Sequence, residues 1–206
     1  MRLVDVHARL LRMDIPVFQT SDAAAYLGIG NAHASKLLAR LAASGHLFRL
    51  GRGRWGFKDR IEPFALPEYL TAPFPSYVSL QSALYHHGMI SQISAVIYAV
   101  SIARTRKYVT ALGTVSVHHI DPSFFFGYQP AGKGPAKIAT PEKALIDFLY
   151  LSPARTRLFR ALPELELPGR FKVKEARKII RRIRAVRRRN HVSRLFEQLF
   201  KSRETA

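Results

Sequence analysis

The sequence predicts an α+β fold in two parts: helices closed by a β-hairpin, then a mixed α/β unit ending in a long basic helix. Three observations predict it. Apolar residues recur at helical spacing in short N-terminal segments. β-branched and aromatic runs typical of strands gather between residues 96 and 128. A proline-rich stretch, with Pro63, Pro67, Pro73 and Pro75, stands between the two parts.

The first helix follows from Leu3, Val6, Leu10 and Leu11, with Pro16 just beyond. Thr20-Ser21-Asp22 offers side-chain oxygens to cap a second helix, Ala23 to Leu27. Gly28-Ile29-Gly30 breaks that helix, since glycine accepts the backbone angles of a tight turn. Asn31 is placed to cap a third, whose apolar stripe is Ala34, Leu37, Leu38 and Leu41 and which Gly45 ends. Leu50, Trp55 and Phe57 then alternate around a Gly51-Arg52-Gly53 tip, the pattern of a hairpin with a basic turn. A short helix, a glycine turn, a longer helix and a hairpin make a winged helix-turn-helix over residues 1–60.

Residues 61–76 read as a semi-rigid Pro-rich linker. In the second domain, residues 77–206, Ser79 to His87 reads as a helix with Gly88 as its C-cap. Val96–Ile102, Thr114–Ile120 and Phe124–Tyr128 read as strands. Thr140-Pro141-Glu142 opens a helix with a hydroxyl cap, a first-turn proline and an acid at the positive dipole end, and Leu145, Ile146, Phe148 and Leu149 carry it inward. From about Val173 to Phe200 two apolar stripes, Ala176, Ile179, Ile180, Ile183 and then Val192, Leu195, Phe196, Leu199, describe one amphipathic helix or two.

Charge narrows the function. Lys+Arg is 33 and Asp+Glu 14, a formal net charge of +19. Residues 1–60 carry +6, residues 61–150 carry +1 and residues 151–206 carry +12, so two basic ends flank a neutral middle. Such a field attracts polyanions, nucleic acid before anionic membrane. The chain has no cysteine, which excludes disulfides, thiolate catalysis and cysteine zinc sites and fits a cytoplasmic location. The first residues mix charge among apolar positions, unlike a signal peptide. No apolar run reaches the ~20 residues that span a bilayer.

The third helix presents Asn31, His33, Ser35 and Lys36 off its apolar stripe, types that hydrogen-bond base edges in a major groove. Arg40, a turn later, is expected on phosphate. Thr20 and Ser21 precede the second helix, whose N-terminus is a natural phosphate site. Arg49, Arg52 and Arg54 place guanidinium groups on and beside the wing, for a minor groove or the backbone. The alternative is ordinary solvated charge.

Arg177, Lys178, Arg181, Arg182, Arg184, Arg187, Arg188 and Arg189 form a second basic surface, for nucleic acid or an acidic partner. The plainer reading is a solvated face whose arginine stems cover apolar surface, and a membrane-surface helix is a third. His86-His87 and His118-His119 cannot easily chelate one ion, because adjacent side chains diverge on a helix or strand. No metal, cofactor or catalytic residue is therefore expected, and no enzyme. Glu142 is explained by the helix dipole, and Gly132-Lys133-Gly134 by a plain turn.

The stretch Tyr77-Val78-Ser79-Leu80-Gln81-Ser82-Ala83-Leu84-Tyr85-His86-His87-Gly88, followed by Lys137-Ile138-Ala139-Thr140-Pro141-Glu142-Lys143-Ala144-Leu145-Ile146-Asp147, resembles the AbiEi antitoxin family of phage-defence toxin–antitoxin systems. The resemblance covers nearly the whole chain, and both motifs read as structural. It implies a winged helix followed by an α/β antitoxin domain. It implies repression of the chain's own operon through double-stranded promoter repeats, and neutralisation of a nucleotidyltransferase-like toxin without a required complex. Apart from the resemblance, helix-turn-helix proteins often meet repeats as pairs, so two copies per operator are expected, with both a monomer and an associated form open in free solution. The resemblance supplies no residue set for antitoxicity. The rival is an interaction protein that binds a toxin or RNA directly, the winged helix being a scaffold.

Overall fold

A computed structural model describes residues 2–132, 134–152 and 165–204. Lys133 of the Gly132-Lys133-Gly134 turn lies outside the described residues. Among those described are eight α-helices and two β-sheets, a mixed α+β chain.

The first sheet sits among the N-terminal helices. The order is α1 (Leu3–Leu11), β1 (Val17–Gln19), α2 (Thr20–Leu27), α3 (Asn31–Ala43), β2 (Phe48–Gly51) and β3 (Arg54–Gly56). All three strands are antiparallel, in the order β1-β3-β2, with Phe18 opposite Trp55. Val6, Leu10, Leu38 and Leu41 pack with Phe18, Trp55 and Phe57 as one cluster. Each fully buried leucine there contributes about 1.5–3 kcal/mol.

The helix starts differ from expectation by a few residues. α2 begins at Thr20, and its cap is Gln19: the Gln19 N–H donates to Asp22 Oδ2 at 2.8 Å while the Gln19 side chain accepts from the Asp22 N–H. Asn31 is the first helical residue of α3 and not its cap, which is Gly30. Gly28 turns the chain between them at φ 69°, a left-handed conformation that strains any other residue.

Residues 61–76 are not a spacer. They carry a 3-10 turn (Pro63–Ala65), α4 (Leu66–Thr71) and the start of β4 (Ser76–Val78). Pro67 is tolerated in the first turn of α4, where its missing N–H has no helical partner to lose. Leu66 and Leu70 are buried against Phe48 and Leu50 of β2 and against Val115 and Val117 of the second sheet. The stretch is a clamp between the two sheets.

The second sheet adds β5 (Val96–Ser101), β6 (Arg106–Thr110), β7 (Gly113–His119), β8 (Tyr128–Pro130) and β9 (Lys137–Ala139), in the order β6-β7-β5-β4-β9-β8. β5 runs parallel to β7 and β4 to β9, and the other pairs are antiparallel. The strands expected at Val96–Ile102 and Thr114–Ile120 are present with ends shifted by a residue. The one expected at Phe124–Tyr128 is not: Asp121 caps a 3-10 turn at Pro122–Phe124 by accepting from the Ser123 N–H at 2.8 Å, and β8 starts only at Tyr128.

α5 (Leu80–His86) and α6 (Pro141–Leu151) cover the face of this sheet opposite β2 and α4, and α7 (Val173–Arg181) and α8 (Val186–Glu204) pack on α6. The expected C-terminal element is thus two helices. At about 100° per residue, Ile183 and Val192 of one straight helix would face opposite ways. The break at 182–185 lets both be buried in the same core.

Candidate nucleic-acid interface

Ala34, Leu37, Leu38 and Leu41 anchor α3, so its opposite face is fixed outward. At about 100° per residue, Ala32, Lys36, Ala39 and Ala43 run along the middle of that face. Ser35 and Asn31 flank one side, Arg40 and His33 the other, and all eight are exposed. The helix contains no acidic residue. Its centre is one cation among methyl groups, small enough for close approach to a groove floor and apolar enough to meet thymine methyls. The alanines carry no base-reading signal in the sequence, where only polar types do.

Thr20 is spent on structure. Its Oγ1 accepts from Trp55 Nε1 at 2.9 Å and points its own donor at the Gly53 carbonyl at 3.4 Å, while the Thr20 N–H donates to that carbonyl at 2.9 Å. These bonds hold the start of α2 against the hairpin. Ser21 is exposed and donates to Asp22 Oδ1 at 3.4 Å. A phosphate at this terminus would meet the Asp22 carboxylate that already caps it, which counts against the phosphate site expected at Thr20 and Ser21.

The three hairpin arginines separate. Arg52 is exposed at the tip. Arg49 is exposed on β2, its Nε donating to the Gly51 carbonyl at 3.2 Å and its guanidinium 5.8 Å from the Trp55 ring centre. Arg54 is half-buried and donates to the Tyr69 carbonyl of α4 at 2.6 Å, which makes it part of the clamp. β6 packs beside β2 through Tyr108 and brings exposed Arg106 and Lys107 to the flank of the hairpin. In the sequence these lie in the neutral middle, and only the sheet order places them here.

Arg60 donates to the Leu11 carbonyl at 3.0 Å, and its guanidinium lies 5.2 Å from the Phe57 ring. The His7 ring of α1 lies 4.5 Å from that of His46, tilted by 32°, and burial, then His46 and Arg60, hold its pKa below the usual histidine range.

The second basic surface is partly packing. Arg182 lies 3.3 Å from the Phe126 ring centre. Arg188 donates to the Tyr150 carbonyl at 2.8 Å with its guanidinium 4.7 Å from that ring. Arg177 holds Glu197 at 3.1 and 3.0 Å, and Lys178 holds Glu175 at 2.7 Å. Arg189 donates to the Ile183 carbonyl at 3.3 Å. Arg181, Arg184 and Arg187 are exposed.

The two motifs of the family resemblance meet inside the second domain. Asp147, fully buried, pairs with the fully buried Lys143 amine through Oδ1, while Oδ2 accepts from Tyr77 Oη at 3.0 Å and Ser79 Oγ at 2.8 Å. Burial pushes the Asp147 carboxyl up and the Lys143 amine down, each against the pull of the other. The ammonium lies 4.0 Å from the Phe124 ring and 5.2 Å from Phe126. Thr140 caps α6 by accepting from the Lys143 N–H at 3.3 Å, and Glu142 accepts from the Lys172 N–H at 2.8 Å. This network joins α5, β4 and α6 in the core, with Tyr77, Ser79, Lys143 and Asp147 all buried. Its pairing was not legible in the sequence.

Among the described residues no three His, Asp or Glu side chains converge as a metal site, and no helix is long and apolar enough to cross a membrane. The chain matches no protein-family model and no curated protein.

Proposed function

We propose that the chain is a winged-helix DNA-binding antitoxin of the AbiEi type, which represses its own operon by setting α3 in the major groove of promoter repeats. The observation that carries this is α3 itself. It is anchored on one face by four buried apolar residues, carries Lys36 between alanines on the other, and has no acid to repel phosphate. The hairpin supports it as a wing: Arg52 and Arg49 stand out at its tip and side, and Arg106 and Lys107 extend the basic strip along β6.

The division of labour follows from chemistry. Lys36, Asn31 and Ser35, with His33 across the face, read bases. Arg40, Arg49 and Arg52 grip the backbone. The antitoxin half rests on the resemblance of the two motifs, whose residues build the α5–α6 core. It places toxin neutralisation in the second domain and makes the toxin a functional partner.

Anisotropy of the protein on its own upstream DNA and on a scrambled duplex, across a salt series, tests the DNA contact. Preference for the promoter that persists at physiological salt is expected. Asn31→Ala is expected to relax base preference. Arg52→Ala is expected to lower affinity on both duplexes and reduce the salt slope by roughly one. Equal binding to both duplexes, vanishing as salt rises, would leave only a non-specific polyanion grip.

A further inference from the structure

The cleft between α7 and α8 gathers polar side chains that the α3 contact does not use. It encloses about 290 Å³ and is lined by Arg177 and Arg181 of α7 and by Arg189, Asn190, Ser193 and Glu197 of α8, with Ile180 beside them. Glu197 takes a two-point contact from Arg177 at 3.1 and 3.0 Å, which fixes that guanidinium. Arg189 is fixed through the Ile183 carbonyl at 3.3 Å and keeps other N–H donors, since a guanidinium has five. Among the described residues no carboxylate lies within ion-pair distance of Arg181 or Arg189.

Glu197 already neutralises Arg177, so the unbalanced charge in the cleft is that of Arg181 and Arg189, which a bound anion offsets. Their planar forks match phosphate oxygens. Ser193 and Asn190 add uncharged donors, and buried Ile180 gives an apolar wall on which a sugar or base edge can rest. The volume is at the lower limit of small-ligand pockets, roughly 300–1,000 Å³. It suits one phosphate with its sugar.

We propose that this cleft binds the phosphate ester of a single nucleotide, either free or as one residue of a single strand. It works apart from the DNA contact. α7 and α8 pack on α6, which with α5 covers one face of the six-stranded sheet. The three-stranded sheet and α4 cover the other, with α1 to α3 beyond. At roughly 10 Å per layer, about 30 Å of protein stands between α3 and the cleft.

Calorimetric titration of the intact chain with inorganic phosphate, with adenosine monophosphate and with a twelve-nucleotide single strand, about the length of one helical turn, tests this. The nucleotide is expected to bind more tightly than inorganic phosphate. Arg181→Ala is expected to weaken it roughly tenfold or more and Ser193→Ala severalfold, since charge-assisted bonds are the stronger ones. Arg52→Ala should leave it unchanged. Arg181 and Ser193 are not buried, so loss of binding in both separates ligand contact from misfolding. Displacement of the nucleotide by the strand assigns the site to a chain residue, and retention assigns it to a free nucleotide. Binding of neither ligand by the wild-type chain would overturn the proposal. So would equal weakening by Arg181→Ala and Arg52→Ala, which is the mark of a diffuse field.

Discussion

The buried Lys143–Asp147 pair makes the sharpest stability prediction. Both side chains are fully buried, and Asp147 also serves Tyr77 and Ser79. Asp147→Asn keeps an acceptor for the two hydroxyls but leaves the ammonium without a counter-charge among Phe124, Phe126 and Tyr77. Breaking one partner of such a pair costs about 3–5 kcal/mol. At ~2–4 °C per kcal/mol for a chain of this size, the midpoint falls by about 6–20 °C. Lys143→Met strands the carboxylate and is expected in the same range. The double variant removes both charges and keeps the hydroxyl acceptor, so its cost falls short of the sum of the singles by about 2–3 kcal/mol. Urea unfolding followed by far-ultraviolet circular dichroism and by the fluorescence of Trp55, the chain's single tryptophan, measures it. Additive single and double costs, within ~0.5 kcal/mol, would refute the pairing.

Leu70→Ala empties a position shared by α4, β2 and β7 and is expected to cost about 2–5 kcal/mol, with both optical transitions moving together; a Trp55 transition left in place would mean the clamp does not couple the two sheets. Arg54→Ala should lower stability and change DNA affinity little, the reverse of Arg52→Ala, as anisotropy and thermal melting on the same samples would establish. The pH profile follows from His87, which meets the Ala139 carbonyl at Nε2 (2.7 Å) and Arg170 at Nδ1 (3.3 Å). Burial foremost holds its pKa below the usual value of about 6.5, and the same cause lowers His7 and His118. A depressed pKa contributes stability above the unfolded value and loses it as pH falls through the folded one, so the urea midpoint should drop as pH falls below about 6.5, and His87→Gln should flatten that drop. A midpoint that rises on acidification would reverse the assignment.

What was legible in the sequence was periodicity. α1, α3 and α5 follow from apolar spacing and glycine or proline punctuation, because one buried face imposes that spacing whatever the neighbour, whereas α6, buried nearly all round, is announced by its Thr140-Pro141-Glu142 start. β1, β4 and β9 are three residues each, too short for alternation to register, and β6 is an edge strand whose Arg106, Lys107 and Val109 are exposed. The proline stretch misled for a physical reason: proline stiffens a linker and opens a helix equally well, and only the burial of Leu66 and Leu70 decides between them. For the proposed interface, residue type points to Lys36, Arg40, Arg49 and Arg52, all of which the structure leaves exposed. It did not reveal that Arg54 and Thr20 are bonded inward, since an arginine or threonine beside a turn looks alike whether its partner is water or a carbonyl.

Net charge alone would put the main polyanion contact at the C-terminal end, where residues 151–206 carry +12 against +6 for residues 1–60. The structure argues against ranking the surfaces that way. Arg182 and Arg188 lie on aromatic rings, Arg188 and Arg189 bond carbonyls, and Arg177 and Lys178 are paired with glutamates. Each is held in place by protein contacts and is less free to track a long backbone, and of them only Arg177 and Arg189 line the α7–α8 cleft. On α3 and the hairpin tip the charges are fewer, but no acid interrupts the helix and small side chains surround Lys36. Affinity for a duplex depends on the cations that reach phosphate together, and sequence preference on a helix face that fits the groove. By both measures α3 and the hairpin suit the proposed duplex contact, and the α7–α8 cleft suits the proposed small anion. Lys36→Ala should therefore cost more promoter preference than Arg187→Ala, even though Arg187 sits in the denser field.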